Sequence, residues 1–145
     1  MVAAKRLALR IFLIVISITG LAMTARSGAA TLVYATFIAG GGGDGIVKID
    51  PAGIASHVIG GGQFSALTVD NFGNLYAAYK PGGGGSSIWR IDPAGNTSPF
   101  QGGFYSSLAA DSSGNIYASF ISGGGGDGIV KIDPSGNTSH FQSGL

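Results

Sequence analysis

The sequence predicts an all-β chain built from three repeated units in close succession. Three observations lead there. Short runs rich in β-branched and aromatic residues are bounded by Asp, Pro and Gly, the pattern of strands joined by tight turns. These runs recur at a fixed spacing. Beyond Ala30 no segment sustains a helical apolar period, and Glu, a strong helix former, is absent from the whole chain.

The first element is a leader. Lys5, Arg6 and Arg10 precede an apolar run from Ile11 to Met23, and small residues cluster at Ala25, Ser27, Gly28, Ala29 and Ala30. A positive start, an apolar middle and a small-residue exit make a secretory signal peptide, expected as a helix over 1–30 and cleaved after Ala29 or Ala30. The uncharged stretch between Arg10 and Arg26 is short. It falls below the roughly 20 residues that a bilayer-spanning helix needs, so no stable membrane anchor is expected after cleavage. The expected destination is secreted or periplasmic.

Composition excludes several functions. Half of the eight basic residues lie in the leader, so the body from Thr31 onward carries four basic residues against seven Asp. A body of net charge near −3 is no nucleic-acid binder by the electrostatic criterion. Without Cys there is no disulfide framework, thiolate zinc site or Cys nucleophile.

The repeats organise the rest. Tyr34-Ala-Thr-Phe37 returns as Tyr76-Ala-Ala-Tyr79 and Tyr117-Ala-Ser-Phe120, at spacings of 42 and 41. Ile46-Val-Lys-Ile-Asp-Pro-Ala-Gly53 returns as Ile88-Trp-Arg-Ile-Asp-Pro-Ala-Gly95 and Ile129-Val-Lys-Ile-Asp-Pro-Ser-Gly136. Gly tracts at 40–43, 82–85 and 123–126 keep the same register. From Phe37 to His57, all but four positions match the stretch from Phe120 to His140, the mark of a recent duplication. A period of this size is that of one four-stranded propeller blade. The expected fold is therefore a partial β-propeller of about three blades, with units at 31–62, 63–103 and 104–145.

Within a unit, Leu67-Thr-Val69 (Leu108-Ala-Ala110) is the innermost strand. Asp70-Asn-Phe-Gly73 and Asp111-Ser-Ser-Gly114 are hairpin turns, with Asp accepting from nearby backbone and Gly taking φ > 0. Asn74 to Tyr79 forms the second strand and Ile88 to Ile91 the third. Asp50-Pro51-Ala-Gly53, Asp92-Pro93-Ala-Gly95 and Asp133-Pro134-Ser-Gly136 have type I turn preferences. Pro99 lacks an N–H and places the fourth strand at the outer edge. The innermost strand is found twice, at 64–70 and 105–111, and the first unit starts at its second strand with Leu32-Val-Tyr34.

The pattern apolar-x-apolar-Asp-x-x-Gly-Asn-apolar-Tyr, then a loop and Ile-x-Lys-Ile-Asp-Pro-x-Gly, resembles the NHL repeat. It also resembles the wider class of six- and seven-bladed propellers that includes gluconolactonase-like proteins and virginiamycin B lyase. The first enzyme resemblance implies a channel metal held by Glu, Asn and Asp, and the second a His and Glu acting as acid and base. With no Glu and no His on an inner strand, nearly all of those places are vacant here. NHL-type propellers are similar to interaction scaffolds that present loops on two flat faces.

Other chemistry reads more simply as structure. His57 and His140 occupy equivalent outer-strand positions facing solvent. Asp44 and Asp127 follow the fourth Gly of a tract, one position early for the calcium-binding nonapeptide. The tracts match the dinucleotide fingerprint formally (Gly40, Gly42, Gly45; Gly123, Gly125, Gly128), but a strand follows where that motif needs a helix. Asp70 and Asp111 end the innermost strand near the channel and are accounted for as turn residues. Asn96-Thr-Ser98 and Asn137-Thr-Ser139 fit the glycosylation sequon yet continue Pro-x-Gly turns. Tyr76, Tyr79 and Trp89 suit core packing, with ligand stacking as the alternative. No catalytic, cofactor-binding or metal-ligating residue is assigned, and no cofactor is expected. The expectation is an exported binding scaffold for a protein, peptide or glycan, belonging to a longer propeller or completed as a homo-oligomer. The alternative is a lactonase- or lyase-like propeller whose catalytic residues lie outside this chain.

Overall fold

Turn residues every few positions cut each unit into short strands, so each folds as an antiparallel meander. A computed structural model describes residues 23–27, 30–37, 44–80, 87–120 and 128–143. The first sheet comprises β1 (Met23–Ser27), β2 (Ala30–Phe37), β3 (Gly45–Ile49) and β4 (Ala55–Gly60). The second comprises β5 (Phe64–Val69), β6 (Leu75–Tyr79), β7 (Ser87–Ile91) and β8 (Thr97–Gly102). The third comprises β9 (Tyr105–Ala110), β10 (Ile116–Phe120), β11 (Gly128–Ile132) and β12 (Thr138–Ser143). Each sheet runs in sequence order, and β8, carrying Pro99, is the outer edge of its sheet.

One expectation is corrected. The first unit has an innermost strand: Met23–Ser27 pairs antiparallel with β2, from Met23 opposite Tyr34 to Ser27 opposite Ala30. Its sequence, Met-Thr-Ala-Arg-Ser, lacks an apolar alternation and reads like the exit of a leader, so only the pairing reveals it. Of the signal-peptide helix expected over 1–30, residues 1–22 lie outside the described residues, as do the three Gly tracts and Asp127, while Met23–Ser27 and Ala30 are strand.

Strand alternation gives each sheet two faces, and facing blades share them. Tyr76, Ala78 and Ile88 of the second blade meet Leu108, Ile116, Ala118 and Ile132 of the third. The opposite face of the second blade sends Leu67, Leu75, Ala77 and Ile91 towards Ile46, with Tyr34 and Val58 beside them. Ile46, Ile88, Ile116 and Ile132 are fully buried, each contributing about 1.5–3 kcal/mol. Across the second seam Ser65 Oγ donates to the Tyr105 carbonyl (3.1 Å) and Asn71 Nδ2 to the Ser112 carbonyl (3.2 Å).

Aspartates lock the hairpin turns. Asp70 Oδ1 accepts from the N–H groups of Phe72 and Asn74, both at 2.9 Å. Asp50, Asp111 and Asp133 repeat both contacts, and Asp92 accepts from Asn96 N–H at 2.8 Å. Each turn closes with the Gly N–H donating to the Asp carbonyl, at Gly53, Gly73, Gly95, Gly114 and Gly136. These glycines hold φ between 79° and 90°. At Gly114 a Cβ would also stand 3.1 Å from the Phe72 ring of the neighbouring blade.

Gly114→Ala is therefore expected to lower stability by about 1–2 kcal/mol in urea unfolding, from the φ > 0 strain alone. Gly60→Ala, whose Cβ would meet nothing within 4 Å, is expected to be near neutral. By the same logic Gly73→Val and Gly114→Val should lower the melting temperature more than Gly60→Val.

The same turns make stability acid-sensitive. The carboxyls of Asp92, Asp111 and Asp133 sit below their ordinary value of 3.8, chiefly because the side-chain amides of Asn96, Asn115 and Asn137 donate to them. A lowered native value means the folded state favours the carboxylate. That stabilisation is fully present above the unfolded value and is lost as pH falls through the lower native one. The melting temperature is expected to drop below about pH 4, and the Asp92→Asn, Asp111→Asn, Asp133→Asn triple variant to show a flatter acid limb.

Candidate functional site

The meander gives the blades two chemically different ends. At one end lie the Asp turns between β5 and β6 and between β7 and β8. In the second blade this end carries a buried polar network. Asn74 Nδ2 donates to Asp70 Oδ2 at 2.7 Å, and the Tyr76 hydroxyl donates to the same oxygen at 3.3 Å. Arg90 then donates to Asn74 Oδ1 through Nε (3.2 Å) and a terminal nitrogen (3.1 Å). Burial first, and the Asp70 charge second, push the Tyr76 phenol up to about 12. The third blade repeats the Asp111, Asn115 and Tyr117 contacts.

That network bears on the metal question. Both oxygens of Asp70 already accept hydrogen bonds from its own hairpin, and the sequence has no Glu. Among the described residues no three His, Cys, Asp or Glu come together to hold an ion. The donor set does not fit the channel metal that a gluconolactonase-like resemblance implies.

At the other end run the β4–β5 and β8–β9 links. Here Ile59, the Gly60–Gly62 link, Phe64, Tyr79 and Trp89 line an apolar cleft of about 190 Å³. Phe64 stands opposite Tyr79 in the strand register, with ring centroids 5.5 Å apart. Gly62 is required beside them, because a Cβ there would run into the Tyr79 ring. The N–H groups of Gly61 and Gly62 donate to the Asp44 carbonyl, at 2.8 and 3.3 Å, and so fix the link.

The sequence candidates thus separate. Tyr76 is buried in the seam, while Tyr79 and Trp89 meet at the cleft. Asp44 acts through its backbone on the same end. His57 and His140 are exposed and far apart in the fold, on the outer strands β4 and β12. Each stands edge-on to a ring of its own blade, Phe37 at 5.2 Å and Phe120 at 6.1 Å. His57 also lines a polar cleft of about 170 Å³ with Tyr34, Lys48 and the Asp92 turn. Asn96 and Asn137 do more than continue turns: their Nδ2 atoms donate to Asp92 and Asp133, at 2.8 and 2.9 Å. Sequence reasoning assigned no role to Phe64, Gly62, Asn74 or Arg90. The Asn after four of the five Asp-x-x-Gly turns was a visible signal, whereas Phe64 reaches Tyr79 only through strand pairing.

No family model matches the chain, and no curated protein matches it. Among solved structures it is similar to a gluconolactonase from Xanthomonas campestris, with a TM-score of 0.67 and 15% identity. The match covers 85% of this chain and 46% of that protein, so the chain spans about half its length. At that identity the likeness speaks to fold: the three sheets form an all-β partial propeller.

Proposed function

We propose that the chain is an exported propeller scaffold that binds a protein, peptide or glycan at the link end of its blades. The cleft lined by Phe64, Tyr79 and Trp89 carries this reading. Apolar, aromatic-lined concavities are the usual form of a ligand site, and flat aromatic faces suit sugar rings and peptide side chains. The locked Asp turns at the far end supply the rigid base such a site needs.

Trp89 is the one tryptophan in the sequence, so its fluorescence reports the cleft directly. A hit from a glycan or peptide array is expected to change that emission saturably. Tyr79→Ala should weaken the binding at least tenfold, or about 1.4 kcal/mol. Array hits that bind with no change at Trp89, and that tolerate Tyr79→Ala, would overturn the reading.

The likeness to a gluconolactonase favours a second reading, a lactone-hydrolysing propeller. Against it stand the missing Glu and the occupied carboxylate of Asp70. Purified chain is expected to leave a lactone intact, and chelator-sensitive hydrolysis would establish the enzyme instead.

Export rests on the leader. N-terminal sequencing of secreted protein is expected to begin at Ala30 or Thr31, and intact Met1 in a membrane fraction would contradict it. Cleavage there would also detach β1, so the same measurement tells whether the first blade keeps its innermost strand.

A further inference from the structure

We propose that the polar cleft between the first and second blades is a binding site for the carboxylate of a small organic acid, distinct from the aromatic cleft at the link end. The repeats themselves show what this part of a blade binds. In each unit a Tyr, a basic residue and a Ser stand opposite one another across three neighbouring strands. The rows are Tyr34, Lys48 and Ser56, then Tyr76, Arg90 and Ser98, then Tyr117, Lys131 and Ser139. In the second blade the row is matched by its own hairpin. The Tyr76 hydroxyl donates to Asp70 Oδ2 at 3.3 Å, and Arg90 donates twice to Asn74 Oδ1. In the third blade the Tyr117 hydroxyl donates to Asp111 Oδ2, again at 3.3 Å. The acceptor at the head of the row is a carboxylate in both.

The first blade keeps the row but not the acid. At a spacing of 42 before Asp70 and Asn74 stand Gly28 and Leu32. There β1 passes to β2 with Ser27 opposite Ala30, in place of an Asp-x-x-Gly turn. Among the described residues neither the Tyr34 hydroxyl nor the Lys48 ammonium has a hydrogen-bond or ion-pair partner. Both line the cleft of about 170 Å³, together with Leu75, Ile91 and the turn from Asp92 to Gly95. Burial pushes the Tyr34 phenol up, so at neutral pH it remains a hydroxyl that can donate. An ammonium and a hydroxyl side by side, next to buried Leu75 and Ile91, offer a carboxylate charge-assisted hydrogen bonds in a setting of reduced dielectric. The other polar side chains at the cleft are engaged. Ser56 Oγ donates to the Lys48 carbonyl at 3.5 Å, and His57 stands edge-on to Phe37 at 5.2 Å. Asp92 accepts from the N–H and Nδ2 of Asn96, both at 2.8 Å. Its charge opposes an incoming anion, and the Lys48 charge offsets it. A ligand carboxylate at Tyr34 and Lys48 would thus play the part that Asp70 and Asp111 play in the other two blades.

The test is a heteronuclear NMR titration of the full chain with acetate, and with acetamide as its neutral counterpart of the same shape. Acetate is expected to shift the Tyr34, Lys48 and Ala94 signals saturably, and acetamide to leave them in place. Lys48→Met should weaken acetate binding about tenfold or more, as the loss of a hydrogen bond to a charged group does. Tyr34→Phe should weaken it by a smaller factor, and Asp92→Asn should tighten it. Lys131→Met, in a row whose acid is already present, should leave it unchanged. Acetamide that shifts the same signals, acetate binding that survives Lys48→Met, or the lack of any saturable shift at these residues would overturn the proposal. Should Lys48→Met fail to fold, Tyr34→Phe removes only one oxygen and still decides, since unchanged binding in that variant would overturn the proposal too.

Discussion

The reach of one carboxylate governs this architecture. In Asp a single methylene separates the backbone from the carboxyl group, so the oxygen falls onto the N–H groups two and four residues ahead. A Glu at the same place would carry its oxygens past those donors, in keeping with a chain whose acids are all Asp. Five of the seven Asp residues serve hairpin turns in this way. Each fixed turn sets the register of its two strands, and a register slip of one residue would exchange the two faces of a strand. Which side chains reach which seam follows from there.

Committing the carboxylates to turns also occupies their oxygens. Asp70 is buried at the end of an innermost strand, and its oxygens serve Phe72, Asn74 and Tyr76. The division between ends follows: charge and hydrogen bonding hold one end rigid, and rings and glycines shape the other. Thr68 stands apart from this order. Its Oγ1 is buried without a partner among the described residues, and nothing in the structure explains it.

Much of this was legible in the amino-acid order. Ile-x-Lys-Ile and Tyr-Ala-x-Phe runs announce strands because their β-branched and aromatic residues alternate between Asp-Pro and Gly boundaries. The sheets and the seam-facing Ile residues could be read from them. β1 could not, because Met-Thr-Ala-Arg-Ser has no such alternation and becomes a strand by pairing with β2. The cleft was hidden for a related reason. Tyr79 and Trp89 look like core residues until Phe64 and the Gly60–Gly62 link are seen to leave a gap beside them. The Asp–Asn pairing was half visible, since the Asn is plain in the motif but its amide contact to the carboxylate exists only once the turn has formed.

The near identity of residues 37–57 and 120–140, in the first and third blades, has a kinetic side. Strands that match this closely can trade places, and swapped pairings are a characteristic way for repeat chains to misfold. Two features oppose the exchange here. Every sheet is a meander of neighbouring strands, so correct partners meet across short loops before distant ones arrive. The blade in between is the odd one, with Trp89, Arg90 and Pro99 where its neighbours carry Val, Lys and His. A dissimilar middle unit thus keeps two interchangeable sequences apart while each finds its own sheet, much as a spacer of a different colour keeps two identical threads from being crossed.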